Sequence, residues 1–175
     1  MEIILVRHTT PDIEKGVCYG QADISVASTF REEIQPIIKE INFNNSDTLY
    51  FSSPLKRCKL LAKELSNTIN FDDRLKELDF GDWELKNWND INKEELDIWM
   101  NDFVNIPATN GESYVDLHTR TVNFLNEILL LNKERIVIVT HAGVIRSLSA
   151  YINKTPLDKS FDLKLNYGHI IKFTL

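Results

Sequence analysis

Glu2-Ile3-Ile4-Leu5-Val6-Arg7 is an unbroken apolar run closed by an arginine, and His8 follows it at once. A strand with one face in water alternates apolar and polar residues, whereas a continuous run suits a strand covered on both faces, as the interior strands of parallel sheets are. Two further stretches share the pattern, Thr48-Leu-Tyr-Phe-Ser52 and Arg135-Ile-Val-Ile-Val-Thr140. Each is short, rich in branched or aromatic residues, and leads directly into a helical pattern.

After the second run, Ser53 is placed to cap a helix with Pro54 at its first position, and Leu55, Cys58, Leu61, Ala62 and Leu65 recur at helical spacing. Similar stripes predict helices over about residues 27–41, with Ile34, Ile37, Ile38 and Ile41, and about 112–131, with Leu117, Phe124, Leu125, Ile128 and Leu129. A further helix is expected after Gly143. Phe161 to Leu175 alternates on either side of Asn166-Tyr167-Gly168, which predicts a closing strand or a hairpin. Strand and helix alternate along the chain, so the expected class is α/β with a mostly parallel sheet.

The chain has 175 residues, 43% of them hydrophobic and 26% charged, the composition of one ordinary globular domain. At that size a core forms without disulfides or a structural metal. The formal net charge of −6 argues against a general nucleic-acid binder. The acidity is local: Asp72 to Asp102 holds eleven acidic residues against four basic ones, and the rest is close to neutral. A small basic pocket outside that stretch is therefore permitted. The apolar runs are far short of the roughly 20 residues that cross a bilayer, and no cationic leader opens the chain, so a cytoplasmic location away from membranes is expected. There Cys18 and Cys58 would stay reduced.

Several chemistries are excluded by spacing. The six glycines form neither G-x-G-x-x-G nor G-x-x-x-x-G-K, and there is no G-x-S-x-G elbow. No two aspartates stand two apart, and neither cysteine has an arginine six residues on. Histidines 8, 118, 141 and 169 include no H-x-x-x-H pair, and C-x-x-C is absent, so a zinc site has little support and metal-free chemistry is expected.

What remains stands at the ends of the three apolar runs: Arg7-His8, Ser52-Ser53-Pro54-Leu55-Lys56-Arg57, and Thr140-His141-Ala142-Gly143. Open α/β sheets bind ligands beyond the carboxyl ends of their strands, so the three sets are expected to converge. Arg57 near a helix N-terminus suits an anion, and two forked guanidiniums match the oxygens of a phosphoryl group. The same field would keep an imidazole neutral, and a neutral imidazole is a nucleophile.

Leu5-Val-Arg-His-Thr9, Ser53-Pro-Leu-Lys-Arg57, Leu75-Lys-Glu-Leu-Asp-Phe-Gly-Asp-Trp-Glu84, Gly111-Glu-Ser113 and Thr140-His-Ala-Gly143 resemble, in order, the motifs of the histidine phosphatase superfamily, which includes the phosphoglycerate mutases. The resemblance implies a three-layer sandwich, a phosphorylated His8, a phosphoryl group held by Arg7, Arg57 and His141, and Glu77 as proton donor to the leaving oxygen. It implies a small-molecule phosphate monoester as partner and no cofactor.

Within the superfamily, Arg7-His-Thr-Thr-Pro-Asp12 with Cys18-Tyr-Gly-Gln21 most resembles the α-ribazole phosphatases of cobalamin assembly. That subgroup suggests Thr9, Tyr19, Gln21, Trp83 and Ala142 as substrate contacts, and residues about 78–110 as a lid on the substrate side. The chain departs from the commoner pattern in having Thr9 for glycine, no asparagine across Asp12 to Lys15, and no proline-leucine turn after Gln21. Gln21 or Thr9 is the expected replacement phosphate donor. Mutase activity is disfavoured, because mutases carry longer chains that close over the sugar phosphate.

Other readings stand beside these. Asp79, Asp82 and Glu84 compete with Glu77 for the donor role; Glu112 serves its helix dipole or a function; His118 and His169 are expected to be structural. Trp83, Trp88 and Trp99 form either an aromatic wall or lid packing, with Leu96, Trp99, Met100 and Phe103 as one helix face. A broad-specificity phosphatase, a protein phosphohistidine phosphatase and a silent phospho-ligand module are the functional alternatives.

Overall fold

A computed structural model of the chain describes every residue except 42 and 44–46. Its elements run β1 (Glu2–Arg7), α1 (Phe30–Ile41), β2 (Thr48–Ser52), α2 (Lys56–Leu65), β3 (Asn70–Phe71), α3 (Lys93–Asn101), α4 (Tyr114–Leu129), β4 (Arg135–Thr140), α5 (Ala142–Asn153) and β5 (Ile170–Thr174). The sheet order is β3-β2-β4-β1-β5; β5 alone among these runs antiparallel, on the edge beside β1. Of the two readings of the C-terminus, the single strand holds: Leu157–Asp162 is a 3-10 turn rather than a first hairpin arm.

The continuous apolar runs are explained by burial on both faces. Ile3 and Leu5 of β1 join Ile136 and Ile138 of β4 under α4 and α5, while Ile4, Val6, Val137 and Val139 point the other way, under α1 and α2. Ile3 to Val6 are wholly inaccessible. Helices thus cover both faces of the sheet, giving the three layers of the α/β class.

Three boundaries differ from expectation. Ser53 does not cap α2, because its hydroxyl lies 2.8 Å from His141 Nε2; Asp23 Oδ1 instead accepts the Lys56 N–H at 2.6 Å. Before α4, Ser113 and Asp116 form a reciprocal capping box, so Glu112 lies outside the helix and pairs with Arg120 at 2.6 Å. α5 starts at Ala142, ahead of Gly143.

The acidic stretch forms three short 3-10 turns and α3; its start is tied to the sheet, with Asp72 N–H on Ser52 O and Leu75 in the main core, and the part beyond Phe80 projects from it. It has its own small core of Cys18, Trp83, Ile91 and Ala108, joined by Phe80, Trp88, Leu96 and Trp99. The predicted apolar face on α3 is only partly realised. Met100 is 61% exposed, and Phe103 follows the helix end.

Candidate active site

The parallel pairing of β1 with β4 sets Arg7 opposite Thr140, and β2 pairs Ser52 with Val139 on the other side of β4. The residues leaving these strands are therefore neighbours across the sheet. His8 N–H donates to Thr140 O at 3.0 Å, and Ser53 N–H to Val139 O at 3.0 Å. The rings of His8 and His141 meet with centroids 5.1 Å apart.

His8 is buried and its ring is oriented. Nδ1 lies 2.7 Å from Thr9 O, and a carbonyl can only accept, so Nδ1 carries the proton and Nε2 keeps its lone pair. Burial pushes its pKa well below 6.5, with the charge of Arg57 adding to the effect. Burial and Arg57 do the same to His141. The arrangement therefore holds a neutral imidazole that can attack an electrophilic phosphorus.

Arg7 donates to Leu165 O at 2.6 Å and stacks 4.1 Å from the Tyr167 ring centroid. Arg57, fully buried at the start of α2, donates to Ala22 O and Gly20 O and stands 5.4 Å from the Tyr19 ring. The two tyrosine hydroxyls are 2.8 Å apart. Arg7 Nε, Arg57 Nε and Thr9 Oγ1 are buried and find no partner among the described residues. Buried polar atoms are ordinarily bonded, so the orphans on two arginines leave N–H donors without an acceptor beside the neutral His8 ring.

Glu77 reaches the site from the acidic side. Its Oε2 accepts the Gly143 N–H at 3.1 Å and its Oε1 accepts the Leu78 N–H at 3.0 Å. A Cβ at 143 would come within 2.3 Å of Glu77 Oε1, so the carboxylate keeps this seat only while residue 143 is glycine. Of the competing carboxylates, Glu84 accepts N–H bonds from Gly20, Gln21, Ala22 and Phe80. It thereby pins the loop whose carbonyls hold Arg57. Asp79 and Asp82 bond Gly81 N and the Asn110 amide, and Glu112 pairs with Arg120.

A cavity of about 230 Å³ opens over these groups. Arg7, His8, Glu77 and Arg146 line its polar side, and Tyr19, Phe80, Trp88 and Phe161 its apolar side. Of the five expected substrate contacts, Tyr19 lines this cavity, and Thr9, Gln21, Trp83 and Ala142 do not. Trp83 is 2% exposed in the small core, with Nε1 on Glu95, so Trp88 takes the wall position. Ala142 is buried, and its neighbour Gly143 lines the cavity instead. Gln21 Nε2 donates to Glu77 O at 3.2 Å, so that amide steadies the backbone of the acidic stretch. Thr9 offers its carbonyl to His8.

Arg146, Phe161 and Tyr167 escaped the sequence reading. A signal existed for Arg146, which stands three residues beyond Gly143 and hence on the same face of α5. His118 bonds Ser147 at 2.9 Å and lines a larger, mostly apolar groove outside α4 and α5, away from the site. Among the described residues no three His, Cys, Asp or Glu side chains are grouped to hold a metal ion.

Two arginines, two neutral histidines and a glycine-seated carboxylate at the carboxyl ends of a parallel sheet define a phosphoryl-handling α/β protein. The family model for the histidine phosphatase superfamily (branch 1) matches residues 3–175, and the chain belongs to that superfamily as a phosphatase. It is 25% identical to the adenosylcobalamin/α-ribazole phosphatase of Escherichia coli, over 96% of this chain and 87% of that one. It is 27% identical to a metal-independent phosphoserine phosphatase of Arabidopsis thaliana, over 97% of this chain and 76% of the other. The crystal structure of the α-ribazole phosphatase from Shigella flexneri superimposes with a TM-score of 0.89 at 24% identity, covering 98% of this chain and 89% of that one.

Proposed function

We propose that the chain hydrolyses small phosphate monoesters through a phosphohistidine on His8. The observation that carries this reading is the oriented His8 ring, its Nδ1 proton tied to Thr9 O and its Nε2 free, between arginines with unpartnered buried N–H groups. Nε2 attacks phosphorus as the P–O bond to the leaving group breaks. Glu77 delivers a proton to the departing oxygen. In the second half Glu77 takes a proton from water, the water attacks the phosphohistidine, and inorganic phosphate leaves with His8 restored. Arg7, Arg57 and His141 offset charge on the phosphoryl oxygens while it moves, the part a metal plays in other phosphatases.

Two classes of leaving group have support. The planar aromatic class, with α-ribazole 5′-phosphate as its example, is favoured by the ring-lined wall of Tyr19, Phe80, Trp88 and Phe161. Small acidic leaving groups, the class of the phosphoserine phosphatase relative, are favoured by Arg146. The test is a substrate panel in chelator, with p-nitrophenyl phosphate, α-ribazole 5′-phosphate and phosphoserine, run on the wild type and His8→Ala. Hydrolysis by the wild type with chelator present, and a loss of at least about 10³-fold in His8→Ala, is the expected result. An unaffected rate in the variant would overturn it.

A further inference from the structure

The cavity carries an arginine that the phosphoryl site does not use. Arg146 Nε donates to Leu163 O at 3.2 Å, and its guanidinium carbon stands 4.9 Å from the Phe161 ring centroid. The planar fork is thus held at two points. Its terminal nitrogens have no hydrogen bond or ion pair among the described residues. Burial pulls the guanidinium's pKa down; Glu77 opposes that and Arg7 adds to it. Arg146 is thus a half-buried cation with no carboxylate in ion-pair range among the described residues, offset only at longer range by Glu77.

Its place relative to the reaction is set by α5. Glu77 is seated on the Gly143 N–H, and Arg146 is one turn further along the same face of α5, roughly 5–6 Å from position 143. Glu77 serves the leaving oxygen, so Arg146 flanks the leaving group and not the phosphoryl oxygens held by Arg7 and Arg57. An anion within reach of it must lie a few bonds from the ester oxygen. The cavity, about 230 Å³, is below the roughly 300–1,000 Å³ of sites that enclose drug-sized ligands, which suits a small leaving group. A carboxylate matches a guanidinium fork with two parallel hydrogen bonds.

We propose that Arg146 recognises a carboxylate carried by the leaving group, so that the preferred substrates are phosphate monoesters of small hydroxy or amino acids. This rests on the phosphomonoesterase reading above and chooses between its two leaving-group classes.

The experiment compares esters matched except for the carboxylate: O-phospho-L-serine with O-phosphoethanolamine, and 3-phosphoglycerate with glycerol 3-phosphate. α-Ribazole 5′-phosphate and p-nitrophenyl phosphate are run alongside. The wild type is expected to show kcat/KM about tenfold or more higher for the acid of each pair. Arg146→Gln is expected to collapse that ratio to about twofold or less, chiefly through KM, and Arg146→Lys to restore part of it. A wild-type ratio near one, a ratio unchanged in Arg146→Gln, or α-ribazole 5′-phosphate turned over faster than both acids would each overturn the assignment. The wild-type ratio decides the matter even if both variants fail to fold. If His8-dependent hydrolysis of p-nitrophenyl phosphate persists while the ratio is near one, only the role of Arg146 falls. If no ester is hydrolysed, the phosphomonoesterase reading falls and takes this inference with it.

Discussion

The imidazole rings of His8 and His141 lie 5.1 Å apart and cross at 61°, although 132 intervening residues separate them in the chain. The closeness is a consequence of strand register. With Arg7 paired to Thr140 in adjacent parallel strands, the next residues stand about one strand spacing apart, near 4.8 Å. Both rings are then enclosed beside Arg57, and burial is the larger cause of their depressed pKa values.

That enclosure predicts a pH dependence of stability. In the unfolded chain both histidines take up protons below about pH 6.5, while in the folded protein they remain neutral. The unfolded state therefore binds more protons, and stability falls as pH drops through 6.5, by up to about 1.4 kcal/mol per pH unit for each ring. Urea unfolding between pH 7.5 and about pH 5 checks this, and His141→Asn should reduce the slope. A slope unchanged in the variant would contradict it.

Gly143→Ala places a methyl group 2.3 Å from Glu77 Oε1 and displaces the carboxylate from its N–H seat. We expect kcat to fall about 10²-fold, the scale of a lost general acid, with the protein still folded by circular dichroism. A kcat within a few-fold of wild type would show that the position of Glu77 is not limiting.

Glu84→Ala removes the acceptor for four backbone N–H groups. The loop carrying Gly20 O and Ala22 O loosens, and with it the orientation of Arg57. The expected outcome is a loss of at least about 2 kcal/mol in denaturant unfolding. Weaker inhibition by inorganic phosphate should accompany it. Normal phosphate inhibition in a destabilised variant would separate loop stability from the positioning of Arg57.

Trp83 and Trp88 should part company on truncation. Trp83→Ala empties the small core and is expected to cost about 3–5 kcal/mol. Trp88→Ala opens the cavity wall and should lower kcat/KM for esters with an aromatic leaving group, α-ribazole 5′-phosphate and p-nitrophenyl phosphate, about two- to tenfold relative to phosphoserine, with a smaller change in melting temperature. Similar melting temperatures for the two variants would refute the division.

Much of this was legible in the residues. Arg7, His8, Arg57, Glu77 and His141 each stand beside a local signal, a strand end, a helix entry or a motif position, and the structure brings all five together. Trp83 and Trp88 could not be told apart, because the four residues of irregular turn between them decide which indole faces the cavity. Ser53 looked like a helix cap and instead serves His141, a long-range bond that no local propensity contains.

The amino-acid order alone determined the class of the sheet, since unbroken runs such as Ile3 to Val6 can be satisfied only by cover on both faces. It also determined which side chains leave the strand ends. Tertiary structure decided their distances, the Nδ1 tautomer of His8, and which of the neighbouring carboxylates faces the cavity, Glu77. It alone placed Arg146 in the cavity. Periodicity is a property of neighbouring residues, whereas a pocket is made by parts of the chain that meet only after the strands have paired.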